Sequence, residues 1–361
     1  MVINDMDLYV YDSPTDMIGV VEKYISLIWA DRYDECGDFE LTVFYDAALR
    51  DLLQKDRYVS VDYSDRTAII EKVEISHDED GNANMIVTGR TVEIIMNRRI
   101  VLNKTEFKKD GDKKPNLQDA AKKLIDENII SPADSKRTIP GFIFQVNNDS
   151  NITRLTLEDE TYDKDVIFDI IAGMAQDKHI GFKVLVNESG QFIFSFYKGV
   201  DRSNEILFSP YYDNLNNSSY FSSVEEFKNI MFVSKNDTEF ITVPLEENNE
   251  PTGLARRETH ESASSLKENK EGELSDDELK TKARKKLKLE HKVQTGFEGD
   301  IIPDILYQYR THYNVGDKVQ LEDEYGNAEV VYVSEVVITF DENGLSIIPT
   351  FKEIDWDEEE V

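Results

Sequence analysis

The sequence predicts an α+β fold that is mostly β, with two small pseudo-equivalent β-barrels and a peripheral α+β domain. Three observations predict it. Strand-like runs dominate both ends of the 361 residues. Helical periodicity is confined to the middle of the chain and to one segment after Ser275. A three-strand pattern near the N-terminus recurs near the C-terminus.

Residues 1–103 read as the first barrel. Asp7 to Asp12 is β-rich and ends at a Ser13-Pro14 turn. Tyr24 to Trp29 is apolar and aromatic, which places Trp29 in the barrel core. Asp38 to Phe44 alternates with period two, and Ala47 to Gln54 suits a short helix. Three strand-like runs follow, Tyr58–Tyr63, Thr67–Ser76 and Ala83–Thr88. Asp80-Gly81-Asn82 between the last two is a hairpin signal.

Residues 104–200 read as the peripheral α+β domain. Leu117, Ala120, Ala121, Leu124 and Ile125 fall at helical spacing behind Asn116, a good N-cap. A second helix is expected over Asp163–Lys178, burying Val166, Ile167, Ile170, Ile171 and Met174. Phe182–Val186 and Phe192–Tyr197 flank a polar turn and read as a hairpin. Residues 201–250 are expected to return as strands to the barrel region and complete the first barrel.

Residues 251–292 read as a flexible linker and a basic helix. Pro251 to Glu273 is polar, and Ser275 with Glu278 forms a capping box. Lys280, Lys282, Arg284, Lys285, Lys286, Lys288 and Lys292 make this the main basic cluster. It suits either a solvated helix or docking on an acidic face of a partner. Residues 293–352 read as the second barrel, and 353–361 as an acidic tail.

The recurrence is specific. Tyr58 to Asp62 resembles Lys318 to Glu322. Ile70 to Gly81 then aligns without gaps on Val333 to Gly344, matching Val73 with Val336, Ile75 with Ile338 and Gly81 with Gly344. Each glycine is followed by another apolar strand. A duplicated barrel lets three chains present six near-equivalent units, so a trimer could match a six-fold partner on one side and a three-fold partner on the other.

Composition narrows the function. The 73 acids outnumber the 41 bases, for a net charge of -32. Such a surface repels nucleic-acid phosphates and anionic membranes. A single cysteine, Cys36, allows no intrachain disulfide and reads as a small packed side chain. No signal peptide or membrane-spanning run is legible, so the chain is expected to be made in a cytoplasm. The five histidines form no metal-ligand pattern. No phosphate loop and no Gly-x-Ser-x-Gly motif occur. No cofactor is expected, and no catalysis. Acidic pairs such as Asp34/Glu35 or Asp159/Glu160 could serve a glycosidase, yet among 73 acids they carry little information.

A set of ordered motifs adds to this reading. Ser26-Leu27-Ile28-Trp29-Ala30-Asp31-Arg32-Tyr33 is followed by Gly37-Asp38-Phe39-Glu40-Leu41. Then come Gly89-Arg90, Arg98-Arg99-Ile100, Phe208-Ser209-Pro210, Asp213-Asn214-Leu215, Lys228-Asn229, Gly253-Leu254-Ala255-Arg256-Arg257-Glu258 and Val315-Gly316-Asp317-Lys318-Val319. In this order they resemble the siphophage tail-hub family, whose fold is shared with the baseplate hubs of contractile tails. The resemblance implies a baseplate-hub fold and a homotrimer at the tail tip of a virion. It would sit under a hexameric distal tail protein, with the tape measure protein and DNA passing through and receptor-binding or adhesion proteins nearby. Many relatives carry an adhesion or wall-degrading domain after the hub, and this sequence would rely on separate proteins for that. The alternative is a tail-tip cell-wall hydrolase or carbohydrate-binding protein. Arg98, Arg99, Arg256 and Arg257 fall inside the motifs. They are the candidates for buried or intersubunit carboxylate pairs, because guanidinium suits bidentate contacts, with ordinary surface arginine as the plain alternative.

Overall fold

In the computed structural model, residues 6–354 are described apart from 78–80, 112, 237, 248, 268–273 and 303–305. The acidic tail beyond 354 and Asp80 of the expected hairpin turn therefore lie outside the described residues. The chain divides into two compact units. One holds residues 1–216, 301–322 and 328–361; the other holds 217–300 and 323–327.

The frame of the first unit is one eleven-stranded sheet. Its strands are β1 (Leu8–Ser13), β2 (Asp16–Val21), β3 (Ser26–Arg32), β4 (Asp38–Phe44), β5 (Tyr58–Val61), β6 (Thr67–His77), β7 (Ala83–Thr91), β8 (Leu207–Phe208), β9 (Lys318–Glu322), β10 (Ala328–Asp341) and β11 (Gly344–Glu353). The order is β8-β9-β10-β3-β4-β7-β6-β5-β1-β2, with β11 pairing β10 as well. The fold class is as expected, mostly β with helices added. The two barrel regions are not separate, however. Their strands share one sheet, and the pairing closes no ring among the described residues.

The two repeats match in register. In the first, β5–β6–β7 form a meander in which Tyr58 pairs with Ile69. In the second, β9–β10–β11 do the same, and Lys318 pairs with Tyr332. Each central strand has a bulge at the same aligned position. The register of β6 against β7 shifts between Ile70 and Lys72, leaving Glu71 extra. The register of β10 against β11 shifts between Val333 and Glu335, leaving Ser334 extra. Bulges are retained features that set local twist and bend, so a shared one argues for true duplication.

The entry to each meander also repeats. The Asp56 N–H donates to the Ile70 carbonyl at 2.8 Å, and the Ile70 N–H returns to Arg57 at 2.8 Å. The Gly316 N–H donates to Val333 at 2.7 Å, and the Val333 N–H returns to Asp317 at 2.9 Å. Asp56 and Gly316 both take positive φ, 66° and 95°. Left-handed backbone suits glycine, and aspartate tolerates it better than most residues.

The repeats are joined by the β3–β4 hairpin. β4 pairs with β7 of the first repeat, while β3 pairs with β10 of the second. Trp29 lies between Phe39 and Ile338, and Leu27 lies between Leu41 and Phe340. Trp29, Leu27, Leu41 and Ile338 are fully buried. Trp29 therefore does sit in a core, one that belongs to both repeats at once.

The α+β region packs a separate apolar cluster. The short helix α1 (Ala47–Leu52) starts on an Asp46 cap, and α2 (Leu117–Ile125) starts on Asn116, whose side chain accepts from Asp119 N–H at 3.2 Å. α3 (Ile167–Asp177) begins four residues later than the expected Asp163, since Lys164 turns the chain with φ 70°. Gly181–Val186 and Phe192–Tyr197 form the expected hairpin, and Phe142–Phe144 joins it in parallel. Phe182, Phe194 and Phe196 meet Leu117, Leu124 and Ile171 in this core.

The second unit changes the reading of 201–292. Of residues 201–250, Leu207–Phe208 joins the large sheet. Ile230–Ser234 instead forms the centre of a three-stranded sheet, flanked by Phe240–Pro244 and Glu258–Ser262. α4 (Asp276–Glu290) carries the expected capping box, then lays Leu279, Ala283 and Leu287 on Met231, Val233 and Val243. The segment expected as linker and solvated helix thus contributes a strand and a packed helix. Its apolar residues recur at i, i+4 and i+8, enough for one buried stripe beneath a lysine-rich outer face. Leu215–Ser223 and Gln294–Ile301 pair in a ribbon of their own.

Candidate functional site

The residues of the motif Trp29-Ala30-Asp31-Arg32-Tyr33 are each an anchor between distant parts of the chain. Alternation on β3 sends Trp29 and Asp31 to the buried face. Arg32 emerges at the strand end. Its Nε meets Glu335 of β10 at 2.5 Å and its Nη1 meets Asp38 of β4 at 2.7 Å, so one guanidinium spans three strands. Tyr33 is buried against three glycines. A Cβ on Gly181, or on Gly316, would fall within 2.5 Å of its ring. Its hydroxyl accepts from Gly199 N–H at 3.2 Å.

Asp31 opens a buried polar cluster. Its carboxylate accepts from Trp29 Nε1 at 2.9 Å, Ser64 Oγ at 2.7 Å and Tyr309 OH at 2.9 Å. Beside it, Arg66 is buried and donates to Glu93, which is fully buried. Glu93 also accepts from Val184 N–H at 3.0 Å, and Arg66 reaches Tyr197 OH at 3.3 Å. Asp65 pairs with Arg310 at 3.1 Å and Lys183 at 3.6 Å. The cluster therefore ties β3, the first meander, the α+β core and the segment before the second meander.

Its electrostatics are split. Burial pushes the Asp31 carboxyl above the usual carboxylate range, against the pull of Arg66 and its hydroxyl donors. Burial opposes the Arg66 charge too, yet Glu93, Tyr197, Asp31 and Asp65 outweigh it and hold the guanidinium above its ordinary value. For Asp65, burial is likewise outweighed, by Arg66, Lys183 and Arg310, and its carboxyl is held below the ordinary range. Breaking such a buried pair leaves one charge uncompensated and costs far more than the pair contributes over an apolar substitute.

The other motifs behave alike. A Cβ on Gly89 would lie 1.9 Å from the Ile69 carbonyl oxygen, so only glycine lets β6 and β7 approach there. Arg90 pairs with Glu71 through two contacts, at 2.6 and 2.8 Å. Asn214 accepts from Ser209 N–H at 2.8 Å and donates to Leu207 O at 3.1 Å. Asn229 donates to Ala255 O at 2.8 Å and accepts from Arg257 N–H at 2.8 Å.

The four singled-out arginines are not brought together. Arg98 makes one exposed contact with Asp56 at 3.3 Å. Arg99 donates to the carbonyls of Arg137, at 2.6 Å, and Arg98, at 2.8 Å. Burial, then Arg137 and Arg98, lower its pKa. These two line a shallow surface depression with Asn97, Ile100, Lys136 and Arg137. Arg256 and Arg257 lie in the other unit. Arg256 pairs with Glu250 at 2.6 Å and with Glu258, above the Phe232 ring. Arg257 donates to the Val224 carbonyl and lies over Phe227. Within the chain, Arg256 and Arg98 meet carboxylates at the surface, and Arg99 and Arg257 meet backbone carbonyls. The sequence reading missed Arg66 and Glu93; the signal was an acid alone in the apolar run Val92 to Met96.

Cys36 is buried, and its thiol shares a hydrogen bond with the Thr91 hydroxyl at 3.4 Å. Burial, then Glu93, pushes its thiol up to about 12, which suits packing and opposes nucleophilic use. No group of three or more His, Cys, Asp or Glu residues placed to hold a metal occurs among the described residues. No helix among them is long and apolar enough to cross a membrane.

Comparison with known proteins bears on the fold and on the family. The chain resembles the 43 kDa tail protein of prophage MuSo2 from Shewanella oneidensis, with a TM-score of 0.62 at 11% identity, covering 97% of this chain and 96% of that one. A tail protein from Neisseria meningitidis aligns with a TM-score of 0.58 at 12% identity over 97% of both. Prophage tail protein gp18 from Listeria monocytogenes aligns with 0.52 at 14% identity, over 97% of this chain and 95% of that one. At these identities the likeness is one of fold. No curated protein matches the sequence. The model of the Siphovirus ReqiPepy6 Gp37-like protein family matches residues 7–351, nearly the whole chain. The chain belongs to that siphovirus family.

Proposed function

We propose that the protein is a structural component of a phage or prophage tail: a homotrimeric hub at the tail tip. It adapts a hexameric distal tail protein to a three-fold tip and forms or closes the channel used by the tape measure protein and DNA. Receptor-binding or adhesion proteins of the tip attach around it. It is made in the host cytoplasm and ends in the virion, and it has no catalytic role.

The observation that carries this reading is the repeat. Two meanders with the same register, bulge and entry bonds share one sheet, so three chains supply six like units, as a six-fold ring requires. The net charge of -32 supports a passage that does not grip DNA. Arg98 and Arg99, beside Lys136 and Arg137, offer a cationic patch for an acidic neighbouring subunit.

The test is assembly with the ring. Purified protein is mixed with the hexameric distal tail protein and the complex is sized by light scattering. Three chains per ring are expected. Failure to bind the ring, or one or six chains per ring, would overturn the hub reading.

A further inference from the structure

The internal pairing of β3 on β10 has no counterpart on β6. β10 is covered on both sides along Glu335–Phe340, by β3 and by β11. The aligned stretch of β6, Lys72–His77, has β7 on one side. Its other neighbour, β5, stops at Thr67–Ile69. Beyond the bulge, the outer edge of β6 pairs with no strand among the described residues.

The side chains record the difference. Val336 and Ile338 are 0% exposed. Their aligned partners are Val73, half-buried, and Ile75, 47% exposed. The apolar row Phe340–Leu27–Leu41–Val87–Val73 crosses five strands and ends at this edge. A free edge with exposed apolar residues is a template for another strand.

We propose that this edge of β6 seats a strand from a second copy of the chain, joined head to tail. Within one chain, the hairpin before the first repeat gives β4 to its own repeat and β3 to the other. The paired ribbon of Leu215–Ser223 and Gln294–Ile301 precedes the second repeat as the β3–β4 hairpin precedes the first, and Leu215–Ser223, its first strand, takes the place of β3. Its Tyr220 and Phe221 are 38% and 49% exposed. Passing that strand to β6 of the next copy repeats the internal junction between chains. A head-to-tail contact closes into a ring when the rotation allows, and three copies with two like units each would make a ring of six units. The edge carries Lys72 and Glu74, paired with each other. Charges on an edge guard it against indiscriminate pairing.

This rests on the trimeric reading above, and the experiment separates the two. Ile75→Lys blocks the acceptor edge, and Phe221→Lys blocks the donor strand. Each variant is sized by light scattering, after its thermal melt has been matched to the parent. The parent is expected at three times the chain mass and each variant at the chain mass. An equal mixture of the two variants is expected at twice the chain mass, since each retains one intact half of the junction. Slower amide exchange over 71–77 in the parent than in Ile75→Lys would agree. A parent that never associates, a variant that keeps the parent mass, or a mixture that stays monomeric overturns the proposal. If Ile75→Lys stays trimeric and still binds the distal ring, the hub reading stands without this edge.

Discussion

At positions 73 and 75 the first repeat leaves a valine half-buried and an isoleucine largely exposed. At the aligned positions 336 and 338 the second repeat buries a valine and an isoleucine completely. The residue types are the same and the local pairing is the same. What differs is whether β3 lies alongside. Burial here is decided by a strand more than 300 residues away in sequence, as the Arg32–Glu335 contact shows. Local pattern sets which face is apolar; topology sets whether that face is covered.

Four single substitutions and one double sharpen the contrast. Trp29→Ala removes the side chain that serves both repeats and is expected to cost roughly 3–5 kcal/mol. Denaturant unfolding in which one cooperative transition shifts would match a shared core; two separated transitions would mean the repeats unfold independently. Arg66→Leu leaves Glu93 buried without its cation and is expected to cost roughly 3–5 kcal/mol, with Arg66→Leu/Glu93→Leu recovering much of it. A double variant no better than the single would show the pair is not coupled. Ile338→Ala should cost roughly 2–5 kcal/mol, and Ile75→Ala in the monomeric chain about 0.5 or less. Equal costs would break the comparison.

Smaller effects come from charge and backbone. Asp31 has a raised pKa, so its contribution to stability is present below the ordinary carboxylate value and is lost as pH rises through the raised value. Asp65 is lowered, so its contribution is present above the ordinary value and is lost as pH falls through the lowered one. Asp31→Asn is therefore expected to flatten the fall of the melting temperature on the rising side, and Asp65→Asn the fall on the acid side. Exchanged behaviour would reverse the assignment. The smallest effect is at the entry to the first meander. Asp56→Gly should be nearly neutral, within about 1 kcal/mol, since glycine relieves the positive φ. Gly316→Asp at the aligned site should fail to fold well, since a Cβ there would lie 2.2 Å from the Tyr33 ring.

Much of this was legible in the sequence where the cause is local. Asn116 and Ser275 cap the helices they precede, and the Asp-Glu-Asn-Gly turn marks the second meander. The duplication could be read because turn and strand period lie within about thirty residues of each other. The shared sheet could not, since nothing in Ser26–Arg32 names β10 as its neighbour. Residues 251–292 misled for a related reason. Lysines hid a narrow stripe of Leu279, Ala283 and Leu287, and Glu258–Ser262 becomes a strand through a parallel partner rather than through its own polar sequence. The Asp31–Arg66–Glu93 cluster showed in the sequence only as the lone acid Glu93 in an apolar run, because its members come from segments far apart in the chain.

The Arg32 clamp and the β3–β10 ladder have a consequence for synthesis. While the ribosome has made only the first 300 residues, β3 has no partner on one side and Trp29 is covered on one flank alone. The ladder closes only after Glu335–Phe340 has emerged, about 300 residues after β3. Such late, non-local closure is slow and leaves an apolar strand available to other nascent chains in the meantime. Expression at low temperature, or with abundant chaperone, should therefore raise the soluble yield of this protein by more than its final stability would suggest.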